Sequence, residues 1–140
     1  MEVDVNWLAV ALAGLSSMVV GSVFYAKPVF GNMWFKLAKI DENNMKKGIA
    51  KAMTLALLMS LLTAFVIAHV AAISRNFYEV SALSAALTTA FWLWIGISLT
   101  TVVIHDSFEH RPMKLTFLTV AYQFFSMMAM GLIIGLFGGY

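Results

Sequence analysis

Four long apolar stretches alternate with short polar ones along the chain, at about 6–25, 52–74, 80–104 and 113–137. Each reaches the roughly 20 apolar residues that a membrane-spanning helix needs. None shows the strict alternation of a barrel strand, and helices are the other way to satisfy backbone groups in lipid. The pattern predicts an all-α integral membrane protein, a single domain with four transmembrane helices. The first connection is more than a linker. Tyr25-Ala26-Lys27-Pro28 ends the first span, because the residue before a proline is pushed out of the helical region. Asn32 is placed to cap a short helix over about 32–40. Met33, Trp34, Leu37 and Ile40 share one face of it, with Lys36 and Lys39 off that face, which is the pattern of an interfacial helix. Asp41-Glu42-Asn43-Asn44 then breaks it and starts the next helix, whose Lys46, Lys47 and Lys51 sit just outside the bilayer.

Composition agrees. Of 140 residues, 61% are hydrophobic and 11% charged, against roughly 45–50% and 25% in soluble domains. So few charges exclude a soluble globule, a disordered chain and a nucleic-acid binder. The absence of cysteine excludes disulfides, thiolate metal sites and cysteine nucleophiles. The nine basic residues are sorted: Lys27, Lys36, Lys39, Lys46, Lys47 and Lys51 in the first loop, Arg111 and Lys114 in the third, and Arg75 alone in the second. The positive-inside rule then puts the first and third loops in the cytoplasm and both termini outside. The first loop is expected to meet anionic lipid headgroups. Glu2 and Asp4 precede the first span without a basic residue. That is no signal-peptide leader, so the span is expected to stay in the mature protein.

Small residues recur every fourth position: Ala9, Ala13, Ser17 and Gly21 in the first span, Ala52, Ala56, Ser60, Ala64, Ala68 and Ala72 in the second, Gly131, Gly135 and Gly139 in the fourth. Such rows let helices approach closely in lipid. They serve packing within one protomer or, for one row, contacts in a homo-oligomer.

Polar groups at membrane depth are where function is sought first. Counting inward at about 1.5 Å per residue places Ser16, Ser17, Thr63, Trp94, Tyr122, Gln123 and Ser126 at one level. Gln123 carries the one amide there, with Trp94, Ser17 or Thr63 as expected partners. An interhelical hydrogen bond is its ordinary use, a ligand or water path the other. Trp92 and Trp94 face opposite sides of their helix, so at least one faces protein. His69 is the one titratable group well inside a span, read as a hydrogen-bonded histidine before a proton relay.

The densest chemistry is His105-Asp106-Ser107-Phe108-Glu109-His110-Arg111-Pro112. A continuing helix puts His105 over Glu109 and Asp106 over His110. That spacing can hold a metal as part of a larger set, with His105 and Glu109 the candidates. A solvated, salt-bridged segment is the commoner use, and Glu109 can neutralise Arg111. Phe24 to Pro28 and Phe108 to Pro112 share a Phe, a basic residue and a Pro at equal spacing, which would suit parallel repeats but is better read as coincidence. No nucleophile elbow, zinc-protease pair, phosphate loop or dinucleotide fingerprint occurs, and no cofactor is expected.

The chain resembles a bacterial membrane-protein family known only as a domain of unknown function, number seventeen-sixty-one. The likeness is carried by Asn6-Trp7-Leu8-Ala9, Gly21-Ser22-Val23-Phe24-Tyr25, Pro28, Phe30-Gly31 and Trp34-Phe35-Lys36, then by Phe108-Glu109, Arg111-Pro112-Met113-Lys114-Leu115, Ala121-Tyr122 and the region of Gly131. The family pattern has Trp where Phe24 stands, and often His where Gln123 stands. The resemblance implies a four-span membrane protein and no established activity; the bacterial inner membrane is the expected location.

Three functional readings are open. The first is a self-assembling structural or accessory membrane module without enzyme activity. The second is a small oligomeric transporter or channel, which predicts a polar cavity reaching Gln123. The third, ranked last for want of polar groups, is a metal or cofactor binder using the His105–His110 segment.

Overall fold

The structure, a computed structural model, describes residues 3–137 apart from the side chain of Glu42; Gly139 lies outside the described residues. The helices are α1 (Trp7–Phe24), α2 (Asn32–Ala38), α3 (Glu42–Lys46), α4 (Ile49–Tyr78), α5 (Ala82–Leu93), α6 (Thr100–Phe108) and α7 (Met113–Phe137). A π-helical segment, Trp94–Leu99, joins α5 and α6 into one rod. There is no strand among the described residues. Four rods, α1, α4, α5–α6 and α7, are long and apolar enough to cross a membrane.

They pack in chain order around a ring. α1 lies on α4, α4 on α5, α5 on α7, and α7 returns to α1, while α4 and α7 also touch across the middle. Successive rods are antiparallel neighbours, the second and third connections being short and the first carrying α2 and α3, which makes this the simplest bundle topology. One end, here the basic end, carries α2, α3 and the α6–α7 loop. At the other, the Asn6 side chain caps α1, its Oδ1 accepting from Leu8 N at 3.0 Å and Ala9 N at 3.2 Å. Its Nδ2 donates to the carbonyl of Phe137 at 2.9 Å, tying the start of α1 to the end of α7. Ser81 caps α5 in the same way, accepting from Ser84 N.

The half of the bundle next to this capped end holds the packed core, with an apolar groove of about 710 Å³ on its outside between the end of α4 and α5, bordered by Val70, Phe77, Thr88 and Trp92. Ala9, Ala13, Ala64, Ala68, Ala71, Ala86 and Ala90 are buried, around the fully buried Ile67, Met130 and Ile134. Small residues decide how near the backbones come. A Cβ on Gly131 would lie 2.9 Å from Ala90 Cβ and 3.0 Å from the Ala86 carbonyl oxygen, and one on Gly135 2.7 Å from Leu83 Cα. The glycine row of α7 is therefore used inside the protomer, against α5. Gly14, not singled out in the sequence, does the same for α1 and α4. Its carbonyl accepts from Ser60 Oγ at 3.0 Å, and a Cβ there would lie 3.1 Å from Leu61 Cα.

The basic half is splayed. The row on α4 is buried from Ser60 onward, whereas Ala52 and Ala56 are exposed, with most of the Ile49–Met59 stretch. Ala56 is thus no packing contact.

The third rod changes phase on the way. Ala85, Ala86, Thr89 and Ala90 face the core in α5, and an unbroken α-helix would bring Ile97 and Ile104 round to the same face. Both are instead 59% exposed, while Asp106 is 5% exposed. A π turn adds a residue to the helix and so rotates the residues beyond it by about 100°. Thr100 Oγ1 donates to the carbonyls of Gly96 and Ile97, the usual way a hydroxyl satisfies carbonyls freed by such a break.

Other boundaries differ from those the sequence predicts. Asn32 is not an N-cap: a π turn over Lys27–Gly31 leads straight into α2, through Gly31 in helical conformation and with no side-chain cap. The extended residue is Ala26, one before the pre-proline Lys27. α2 ends at Lys39, whose φ of 53° is left-handed. Lys46 closes the separate α3, Lys47 lies in a turn, and α4 begins at Ile49. The two Phe-to-Pro segments are not structural repeats either. Phe24 is 7% exposed and followed by a π turn; Phe108 is 84% exposed and followed by the left-handed His110.

Candidate functional site

Where α1 and α4 part below the Gly14–Ser60 contact, a slot of about 690 Å³ opens between them. That is within the range of small-molecule sites. The small residues Ser17 and Gly21 of α1 form one wall and Ala52 and Ala56 of α4 the other. Trp34 and Phe35 of α2 and Met45 of α3 lie toward the basic end, and Tyr122 of α7 toward the interior. The same spacing that brings helices together in the capped half leaves room here. On α4 it runs from Ile49 to Ala56, seven helical steps or about 10 Å.

Local structure fixes the aromatic lining. Tyr25 caps the end of α1, its N–H donating to the Gly21 carbonyl at 3.0 Å. The π turn then folds the chain back so closely that a Cβ on Gly31 would collide with the Tyr25 carbonyl oxygen. This sets Trp34 against Tyr25, ring centroids 5.4 Å apart, and Tyr25 against Tyr122 at 5.2 Å. Phe24 packs on Phe30 at 4.7 Å and on Tyr122 and Phe125 behind the slot. Phe124 carries the ring contacts on to Trp94 at 4.9 Å. Gly21 makes space for the Tyr122 ring, whose nearest atoms lie 3.4 Å from where its Cβ would be.

The polar groups at depth are divided differently from expectation. Ser17 Oγ and Ser126 Oγ are 2.6 Å apart, a buried α1–α7 hydrogen bond. Tyr122 OH is 3.5 Å from Ser17 Oγ, beyond the roughly 2.5–3.0 Å of a good hydroxyl pair. Trp94 faces protein, its Nε1 donating to the Val120 carbonyl at 3.1 Å, while Trp92 is 64% exposed. Thr63 donates to Met59 of its own helix. Each expected partner of Gln123 is thus engaged elsewhere, and its Oε1 is buried with no partner among the described residues. Gln123 does not line the slot. His69 is half-buried, its ring 5.8 Å from Phe65, which stacks on Trp7.

The charged loop forms a second cluster. His105 Nε2 lies 3.2 Å from Glu109 Oε1, at the i,i+4 spacing expected, and Glu109 Oε2 accepts from Arg111 Nε at 2.6 Å. Asp106 is not over His110, because the left-handed turn at His110 (φ 52°) carries the chain away. Its carboxylate is buried and accepts from Thr116 Oγ1 at 2.8 Å, with Arg111 Nε at 3.7 Å. Pro112 comes after this turn, just ahead of α7. No three carboxylates and imidazoles converge as a metal-ligating group among the described residues.

A family model matches residues 8–135, nearly the whole chain. The chain belongs to the family described as Protein of unknown function (DUF1761). No curated protein and no solved structure matches it. Family membership therefore adds no activity, but the fold gathers many of the residues that carry the likeness. Gly21, Tyr25, Trp34, Phe35 and Tyr122 all line the slot, and Phe30 and Gly31 brace it from behind. In the sequence, Tyr25 and Trp34 read as parts of a loop motif and Tyr122 as an intramembrane residue, with nothing to join them. The Tyr before Pro28 and the Trp six residues beyond that proline are the available signal that the loop folds back on the bundle.

Proposed function

We propose that the chain is a small accessory module of the bacterial cytoplasmic membrane, without enzyme activity, that holds an apolar or amphiphilic molecule in the slot between α1 and α4. The slot is the observation that carries this reading. It is preformed, mostly apolar, and sits where helix-packing residues are left unpacked. The sorting of basic residues supports insertion with the basic end in the cytoplasm and both termini outside. The slot then opens at the level of the inner-leaflet headgroups, with Lys27 on its rim and anionic lipid as the neighbour of the first loop. The homo-oligomer expected from the glycine row draws no support from Gly131 and Gly135, which pack inside the protomer.

A dansyl-labelled undecanoate tests the reading. The purified protein should bind it saturably, and Ala56→Leu, which fills the slot from an exposed position, should abolish binding. Equal binding by both proteins would sink the proposal. Orientation is tested on the naturally cysteine-free chain. A membrane-impermeant maleimide should label Phe77→Cys in intact cells, and Ser107→Cys only after permeabilisation.

A second reading, a transport path, is favoured by the orphaned Oε1 of Gln123, since a buried acceptor without a partner often marks water or a ligand. It ranks behind because the slot runs past Tyr122 and not past Gln123.

A further inference from the structure

We propose that the occupant of the α1–α4 slot is a quinone-type molecule, a planar apolar ring bearing carbonyl oxygens, held by a hydrogen bond from the Tyr122 phenol. This deepens the proposed function and rests on it. The lining sets the chemistry. Four aromatic side chains, Tyr25, Trp34, Phe35 and Tyr122, border the slot, and three of them form a continuous set of ring contacts at 5.2 and 5.4 Å. Such faces suit a flat ring, which gains from offset or edge-to-face contact. The deep end holds a hydrogen-bond donor.

Ser17, Ser126 and Tyr122 present three hydroxyl protons. One is used in the 2.6 Å Ser17–Ser126 contact. The Tyr122 phenol reaches Ser17 Oγ only at 3.5 Å, a contact too long to hold its proton against a better acceptor in the slot. A saturated acyl chain would bury that donor against methylenes, which is unfavourable. A ring carbonyl would accept from it.

Menadione, a short naphthoquinone, is the probe. Its binding is read by tryptophan emission from the full chain in lipid nanodiscs. Trp34 is the one tryptophan bordering the slot. Saturable quenching is expected in the native chain and should vanish in Trp34→Phe and in Ala56→Leu. Tyr122→Phe keeps the ring contacts and loses the donor. It should raise the menadione midpoint about tenfold, the upper range for one hydrogen bond, and leave the dansyl-undecanoate midpoint within about twofold.

Quenching that is unsaturable and equal in all variants, with dansyl-undecanoate still bound, overturns the quinone assignment and leaves the slot as a binding site for other amphiphiles. Failure of both probes overturns both proposals. An unchanged menadione midpoint in Tyr122→Phe overturns the role of the phenol.

Discussion

The two halves of α4 carry the same row of small residues and use it in opposite ways. From Ser60 to Ala72 the row is buried, and α1 and α5 press close against the backbone. At Ala52 and Ala56 it is exposed and borders a cavity. In lipid there is no hydrophobic drive to close a gap between helices, so contact depends on what both surfaces offer. Above, Ser60 and Leu61 meet Gly14 directly. Below, Tyr25, Trp34 and Tyr122 stand beside the gap and hold it open. A small-xxx-small row thus permits contact without requiring it.

That contrast can be broken first where packing is densest. Gly131→Leu forces a side chain into Ala90 and the Ala86 carbonyl and should cost roughly 3 kcal/mol or more, lowering the melting temperature in detergent steeply. Ala56→Leu, the same kind of change in the splayed half, should stay within about 0.5 kcal/mol. If both melt alike, the halves do not differ as described. Next in size is Asp106→Ala, which leaves Thr116 and Arg111 without their buried acceptor. A loss of about 1–3 kcal/mol is expected, and Thr116→Ala made in the same background should add little, because the pair is one unit. The smallest effect carries the opposite sign. Gln123→Leu removes an unpaired buried carbonyl and should leave the melting temperature unchanged or raise it slightly. A marked drop would show that Oε1 has a partner in the membrane.

Much of this is legible in the sequence because lipid narrows the options. Four apolar runs, their number and their helical character come from composition and length. That one of Trp92 and Trp94 faces protein, and that Glu109 pairs with Arg111, come from spacing, whereas Ser17, expected beside Gln123, bonds to Ser126 instead. The rest depends on backbone detail that periodicity does not encode. Asn32 sits where a cap would, yet the chain arrives already helical through the π turn. Asp106 is four residues from His110, yet one left-handed residue separates them. The slot is invisible in the sequence because its walls, Ala52 and Ala56, have the signature of a packed interface. Whether small residues are filled against or left open is decided by bulky neighbours distant in sequence.

The π segment Trp94–Leu99 behaves like an inserted letter in a line of text. Everything after it is read in a shifted frame, and the shift is what turns Asp106 toward Thr116 and leaves Ile97 and Ile104 to the lipid. Straightening that stretch into regular α-helix at unchanged length would turn Ile104 toward the bundle and Asp106 away from Thr116. Deleting one residue within it would instead remove the bulge and leave both facing as they do now. The π segment is therefore the joint that lets a rod one residue too long for a regular helix keep both of its ends in register with the bundle.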